Sequence, residues 1–208
     1  MNRTPDATTD APRRMAGDAR REQLLAAGLV LFSTTPYDAV SVDAIAAATG
    51  TARGLLYHYF GSKRAFYIEV LEASAAELIA TLEPSEPHAE LGGLMEGLRR
   101  ALVWIREHEA GYLTVLSGGI GTDPEVAQVI ERVRYAIGDL VLTNIRIEDH
   151  ARPMALAHVR GWVGYVEGVL PLLLQDVLTE DQVIELATHA LYAWFGATDG
   201  IDVPSIAP

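Results

Sequence analysis

The chain has 208 residues, half of them hydrophobic, enough for one large domain or two small ones around a substantial core. It has no cysteine, which excludes disulfide frameworks, zinc–thiolate sites and cysteine nucleophiles. A net charge of −12 argues against a nucleic-acid partner until its distribution is read: residues 1–70 carry eight basic and seven acidic side chains, so the acidity lies in the C-terminal two thirds.

Met1 to Ala19 is polar and contains proline, unlike a secretory leader. No apolar run reaches the roughly 18 residues that span a bilayer. The reading is a cytoplasmic chain with no membrane partner. Residues 1–17 lack periodicity and are read as a disordered arm. From Asp18, Leu25, Gly28, Leu29 and Phe32 recur at helical spacing, and that helix closes before Pro36. Ser41 then has the character of an N-cap for a helix over Val40–Ala48, with Val40 and Ile45 placed as a hydrophobic staple. Gly50 stands where a left-handed residue ends it.

A third helix is predicted over Ala52–Phe60, with Ala52, Leu55, Leu56 and Tyr59 as its buried stripe. Gly61 breaks it, and Ser62 caps a fourth helix reaching Leu82, ended by the Pro84–Pro87 segment. Further helices are expected near 89–108, 110–117, 124–147, 154–178 and 180–195. Asp123-Pro124 reads as an N-cap with proline at N1, and Thr179 with Gln182 as a capping box; Gly196 is the stop. No period-two alternation persists long enough for a strand. The fold class is therefore all-α, about nine helices in an N-terminal three-helix unit and a C-terminal helical domain. The boundaries fall at 1–17, 18–66, 67–200 and a flexible tail over 201–208.

Two short helices joined at Gly50 describe a helix-turn-helix. On the second of them Arg53, Gly54, Tyr57 and His58 share the face opposite the leucines. A guanidinium can read guanine bidentately or hold a phosphate, glycine permits close approach, and Tyr and His donate to phosphate oxygens. Ser62 and Lys63 open the next helix, whose free amides favour another phosphate. Arg13-Arg14 and Arg20-Arg21 are further candidates for groove or backbone contact.

From Arg20 to Leu71 the chain resembles the TetR family of bacterial regulators. The resemblance rests on Phe32, Ser41-Val42-Asp43-Ala44-Ile45-Ala46, Gly50, Arg53-Gly54, the run Leu56-Tyr57-His58-Tyr59-Phe60 and Ser62-Lys63-Arg64. It implies phosphate contacts from Ser41, Tyr57, His58 and Lys63, a major-groove position for Arg53 and Gly54, and core positions for Tyr59 and Phe60. Thr51-Ala52 stands where the family commonly has Val-Ser, and Leu55 where it has Thr. Thr51 is thus expected to cap the recognition helix, and the operator is less guessable. The resemblance also implies an effector-binding C-terminal domain, a homodimer and double-stranded operator DNA as partner. These describe a repressor, with activation left open.

The last two helices are rich in apolar residues. Val183, Leu186, Ala190 and Leu191 are read as one stripe that a second copy could cover in a four-helix bundle. For a small apolar effector, neutral or cationic, the candidates are Trp104, Tyr112, Trp162, Tyr165 and Glu167, with Arg160 or His158 near. Gly118, Gly119, Gly121, Gly161, Gly164 and Gly168 are read as close helix packing or as room for a ligand. The six histidines form no metal-site pattern, and no nucleophile or phosphate-loop motif is present. Catalysis, metal and cofactor are not expected.

Overall fold

A computed structural model describes residues 10–83, 91–116 and 123–204. Among them the chain folds as α1 (Asp10–Thr34), α2 (Val42–Ala48), α3 (Arg53–Phe60), α4 (Lys63–Leu82), α5 (Leu91–Glu107), α6 (Glu109–Leu116), α7 (Pro124–Thr143), α8 (Arg152–Leu174) and α9 (Glu180–Phe195). The all-α expectation holds.

Local signals set most element ends. The Ser41 hydroxyl accepts from Ala44 N–H at 3.0 Å, and Ser62 does the same from Ala65. Asp123 caps α7 ahead of Pro124, and Thr179 with Gln182 closes a capping box on α9. Gly50, at φ 60°, ends α2 in a Schellman arrangement: its N–H bonds Ala47 O, and Thr51 N–H bonds Ala46 O. The proposed staple is real in that Val40 and Ile45 are both buried.

Several expectations need correction. α1 begins at Asp10, so 10–17 prolongs the first helix instead of forming an arm; Pro12 lies in its first turn, where proline is tolerated. Residues 1–9 lie outside the described residues, as do Pro84–Pro87, Gly118, Gly119 and Gly121. α7 stops at Thr143, where the Asn144 side chain bonds Leu140 O at 2.8 Å. Arg146–Ile147 (β1) then pairs antiparallel with Ile201–Asp202 (β2), so 201–202 is a strand rather than flexible tail. A two-residue ladder is too short to carry a period; it is fixed by burial of Ile201 and by Glu148 N–H bonding Gly200 O at 2.8 Å. α8 ends at Leu174, and Gly196 closes α9 with a right-handed φ of −71°.

Two cores result. One joins Leu24 and Phe32 of α1 to Val40, Ile45, Leu56, Phe60 and the start of α4. The other is built by α4, α5, α7, α8 and α9 around Leu102, Trp162, Leu173 and Phe195. The first core does not stop at residue 66: it takes in Ile68 and Val70 of α4 and Val126 of α7. On α9 the buried stripe is Val183, Ala187, Leu191 and Phe195, strictly every fourth residue, while Leu186 and Ala190 turn partly outward.

Close crossings make α1 a junction. A Cβ on Gly28 would lie 2.6 Å from Phe66 and Val70, and one on Gly111 would lie 2.8 Å from the Phe32 carbonyl. α4 and α6 therefore both press on α1 near its C-terminal half.

Candidate DNA interface and central cavity

α2, the Gly50 turn and α3 set the expected polar face. Leu56 and Phe60 anchor α3 inward, with Leu55 and Tyr59 half-buried beside them; Ala52, assigned to the buried stripe, is instead exposed just before the helix. Arg53, Gly54, Tyr57 and His58 all face solvent. A Cβ added at Gly54 would meet nothing within 4 Å among the described residues, so none of them requires a glycine there. That vacancy suits a surface that must come close to something outside the protein.

The face is held ready by neighbours. Arg53 Nε lies 3.1 Å from Asp43 of α2, an exposed pair of little energetic weight that nonetheless aims the guanidinium. His58 meets Tyr59 edge-on at 5.2 Å. Ser41 stays exposed, and since its oxygen accepts from Ala44 its proton remains available to a phosphate.

Lys63 Nζ donates to the Tyr37 carbonyl at 2.7 Å and sits 4.0 Å from the Tyr37 ring centroid. Two further ammonium donors remain for a ligand. Tyr37, in the 3-10 turn Tyr37–Ala39, was not singled out by sequence reasoning, because its role is a backbone carbonyl and a ring placed under a lysine 26 residues away.

Thr51 does not cap α3. Ala52 is the N-cap with no side-chain bond, and Thr51 Oγ1 lies 2.7 Å from Thr49 Oγ1. Thr49 already donates to Ile45 O at 2.8 Å, so Thr51 supplies the proton and its hydroxyl is spent inside the turn. Arg21 pairs with Glu69 of α4, and Arg20 bonds Gln23. The side chains of Arg13 and Arg14 lie outside the described residues.

Between the two cores lies a cavity of about 150 Å³, on the order of ten times the space one water needs. Of the candidate pocket residues, Trp104, Tyr112, Trp162 and Glu167 line it. Tyr165 does not; its ring meets Trp194 of α9 at 5.9 Å. Arg160 bonds Glu131 at 3.1 Å and His158 bonds Thr198 at 2.8 Å, both away from the cavity. Trp162 turns its N–H to Ala187 O at 2.7 Å, which satisfies the indole and leaves an apolar wall.

Sequence reading missed the part of the wall that comes from the N-terminal unit: Leu29, Phe32 and Ser33 of α1 and Tyr67 of α4. Among the described residues the buried Tyr67 hydroxyl has no hydrogen-bond partner, and burial pushes the phenol up to about 12. Tyr67 packs on Phe32 at 4.9 Å and on Tyr37 at 4.7 Å.

Gly161, Gly164 and Gly168 do not line the cavity but lie exposed on α8, and a Cβ at Gly164 or Gly168 would meet nothing within 4 Å among the described residues. Among the described residues no helix is long and apolar enough to cross a membrane.

Comparison with known proteins agrees with this geometry. The family described as "Bacterial regulatory proteins, tetR family" matches residues 24–70, and "Tetracyclin repressor-like, C-terminal domain" matches 91–193. The transcriptional activator FasR of Mycolicibacterium smegmatis is 28% identical over 153 residues, 70% of each chain. A TetR-family regulator from Streptomyces coelicolor superposes with a TM-score of 0.73 at 26% identity, covering 86% of this chain and 80% of its own. The flavonoid-responsive regulator FrrA gives 0.57 at 22% identity over 86% and 97%, a likeness that speaks for the fold alone. With its helix-turn-helix and its C-terminal domain both matched, the chain belongs to the TetR family: it is a DNA-binding transcriptional regulator and not an enzyme.

Proposed function

We propose that the chain is a repressor that acts as a homodimer in the cytoplasm and leaves its operator when a small apolar effector fills the central cavity. One observation carries this reading: the cavity wall is shared with the core that supports the DNA-facing residues. Phe32 and Tyr67 line the cavity, Tyr67 packs on Tyr37, and Tyr37 holds Lys63 by carbonyl and ring. An occupant that displaces Phe32 or Tyr67 moves the support of a phosphate-binding lysine.

The effector must favour the non-binding arrangement. Moving a 1:99 population to 99:1 takes about 5.5 kcal/mol of differential affinity. α4, which lines the cavity and opens with Lys63, is one lever; the C-terminal end of α1 is a second.

A dimer is supported by the outer face of α8, where Ala157, Gly161, Gly164 and Gly168 lie exposed along one side and Leu172 extends it. Small residues let a partner helix approach, and the two recognition helices must sit about 34 Å apart or a multiple of it. A second reading, activation instead of repression, is favoured by the Mycolicibacterium relative, which is named an activator.

Fluorescence anisotropy of labelled DNA flanking the chain's own gene tests the proposal. Binding to a discrete site there, with expression from that promoter rising when the gene is deleted, is the expected result. Expression that falls on deletion selects the activator, and a folded dimer that binds no site removes the operator assignment. Lys63→Ala should weaken specific and non-specific binding alike and lower the salt slope by about 1.

A further inference from the structure

We propose that the cavity selects an uncharged, elongated apolar molecule carrying a hydrogen-bond acceptor at one end, and that Tyr112 receives that end. This rests on the reading of the cavity as the effector site, and it follows from the way the wall's charges are disposed.

Among the described residues Glu167 is the one carboxylate in the wall, and both its oxygens are taken by Arg134, at 2.9 Å from Nε and 2.8 Å from Nη2. Arg134 also donates to Glu131 at 2.6 Å, and the other Glu131 oxygen accepts from Arg160 at 3.1 Å. Two guanidiniums and two carboxylates thus close on one another. Their hydrogen bonds hold the Arg134 proton more tightly and keep the Glu131 carboxyl below its ordinary range. An anionic ligand would have to displace Glu167 from Arg134, and a cationic one would have to take Glu167 away. Either leaves a half-buried charge without its partner, which costs more than the new contact returns. Overall acidity of the domain permits a cation; the local network does not favour one.

Hydrogen bonding selects in addition to charge. The Tyr112 phenol has no hydrogen-bond partner among the described residues. Burial, followed by the nearby Glu167 charge, raises it well above its usual value, so it stays protonated and offers a donor. Beside it His108 stacks on Trp104 at 4.0 Å, with Nδ1 held by the Trp104 carbonyl at 2.8 Å. The remaining wall is almost wholly apolar. Along α4 it runs from Tyr67 to Leu82, roughly 22 Å of helix at 1.5 Å per residue, which sets the elongated shape.

The test uses Prodan, a neutral dimethylaminonaphthalene ketone whose emission reports hydrogen bonding to its carbonyl. Its carboxylate and trimethylammonium analogues serve as competitors on the DNA-free full-length protein. Prodan should bind at least about tenfold more tightly than either charged analogue. Glu167→Gln, which leaves Arg134 with one carboxylate fewer, should bring the carboxylate analogue within about threefold of Prodan. Tyr112→Phe should keep most of the Prodan affinity and shift the bound emission to the blue.

A charged analogue that binds wild-type protein as tightly as Prodan overturns the proposal, and so does an unchanged emission in Tyr112→Phe. Failure of all three probes to bind overturns it together with the effector-site reading. Prodan that binds with these preferences but leaves operator binding unchanged removes the release mechanism and keeps the ligand class.

Discussion

The recognition unit and the sensor domain are built in opposite ways. From Ser41 to Lys63 every feature that matters lies within a few turns: a serine cap, a Gly50 turn, a helix anchored by Leu56 and Phe60, and a polar face turned outward. The cavity instead draws on α1 and α4 through α8, from Leu29 to Leu170. A surface that reads DNA can be specified by local sequence, because the partner supplies the other half. An internal site has to be closed by the fold itself.

That contrast governs what substitutions should do, and the largest effect belongs to the sensor side. Trp162 is 1% exposed, faces the cavity and bonds Ala187. Trp162→Ala should lower the unfolding free energy by about 3–5 kcal/mol, read by urea denaturation. A loss under about 1 kcal/mol would mean that the core closes without it.

Arg53→Ala touches only the other side. It should cost about 1–3 kcal/mol of operator affinity and relax the preference at one base position, with the melting temperature unchanged. An unaltered base preference in a binding-site selection would make Arg53 a phosphate contact.

Ser41→Ala removes the α2 cap and should cost about 1 kcal/mol of stability. A smaller change follows from the link between the two regions, where Arg64 near the start of α4 grips Asp123, the α7 cap, at 2.6 and 2.7 Å. The hydrogen bond from Arg64 holds the Asp123 carboxyl below its ordinary value of 3.8. A depressed carboxylate contributes stability that is complete above that ordinary value and is lost as pH falls through the folded one. Wild type should therefore exceed Asp123→Asn by a constant margin from neutral pH down to about 4, and the two unfolding midpoints should converge below it. A margin that already shrinks between pH 7 and 5 would assign the effect to another group.

The same contrast explains what could be read before folding. The Ser41, Ser62, Asp123 and Thr179 caps, the Gly50 turn and the exposed face at Arg53, Gly54, Tyr57 and His58 all follow from neighbours in the chain. Thr51 went astray because its hydroxyl had a nearer bond with Thr49 than with the α3 amides. Tyr165 failed for another reason: helical spacing places a residue on a face but does not say which neighbour meets it, and the neighbour was Trp194. Tyr37, and Phe32 as part of the cavity wall, left no local signal. Their roles come from α1, the 3-10 turn and α4 meeting in space, a juxtaposition that only the packed structure supplies.

If the cavity and the DNA-facing surface bias each other through the Phe32 and Tyr67 wall, the coupling must be reciprocal. The affinity of Prodan should be measured with and without saturating operator, and operator affinity with and without saturating Prodan. Each should weaken the other by the same factor, about tenfold or more, and Tyr37→Leu should shrink both factors together. A Prodan affinity unchanged by operator and an operator affinity unchanged by Prodan, with Prodan displaced by Val133→Phe and hence seated in the cavity, would contradict that coupling.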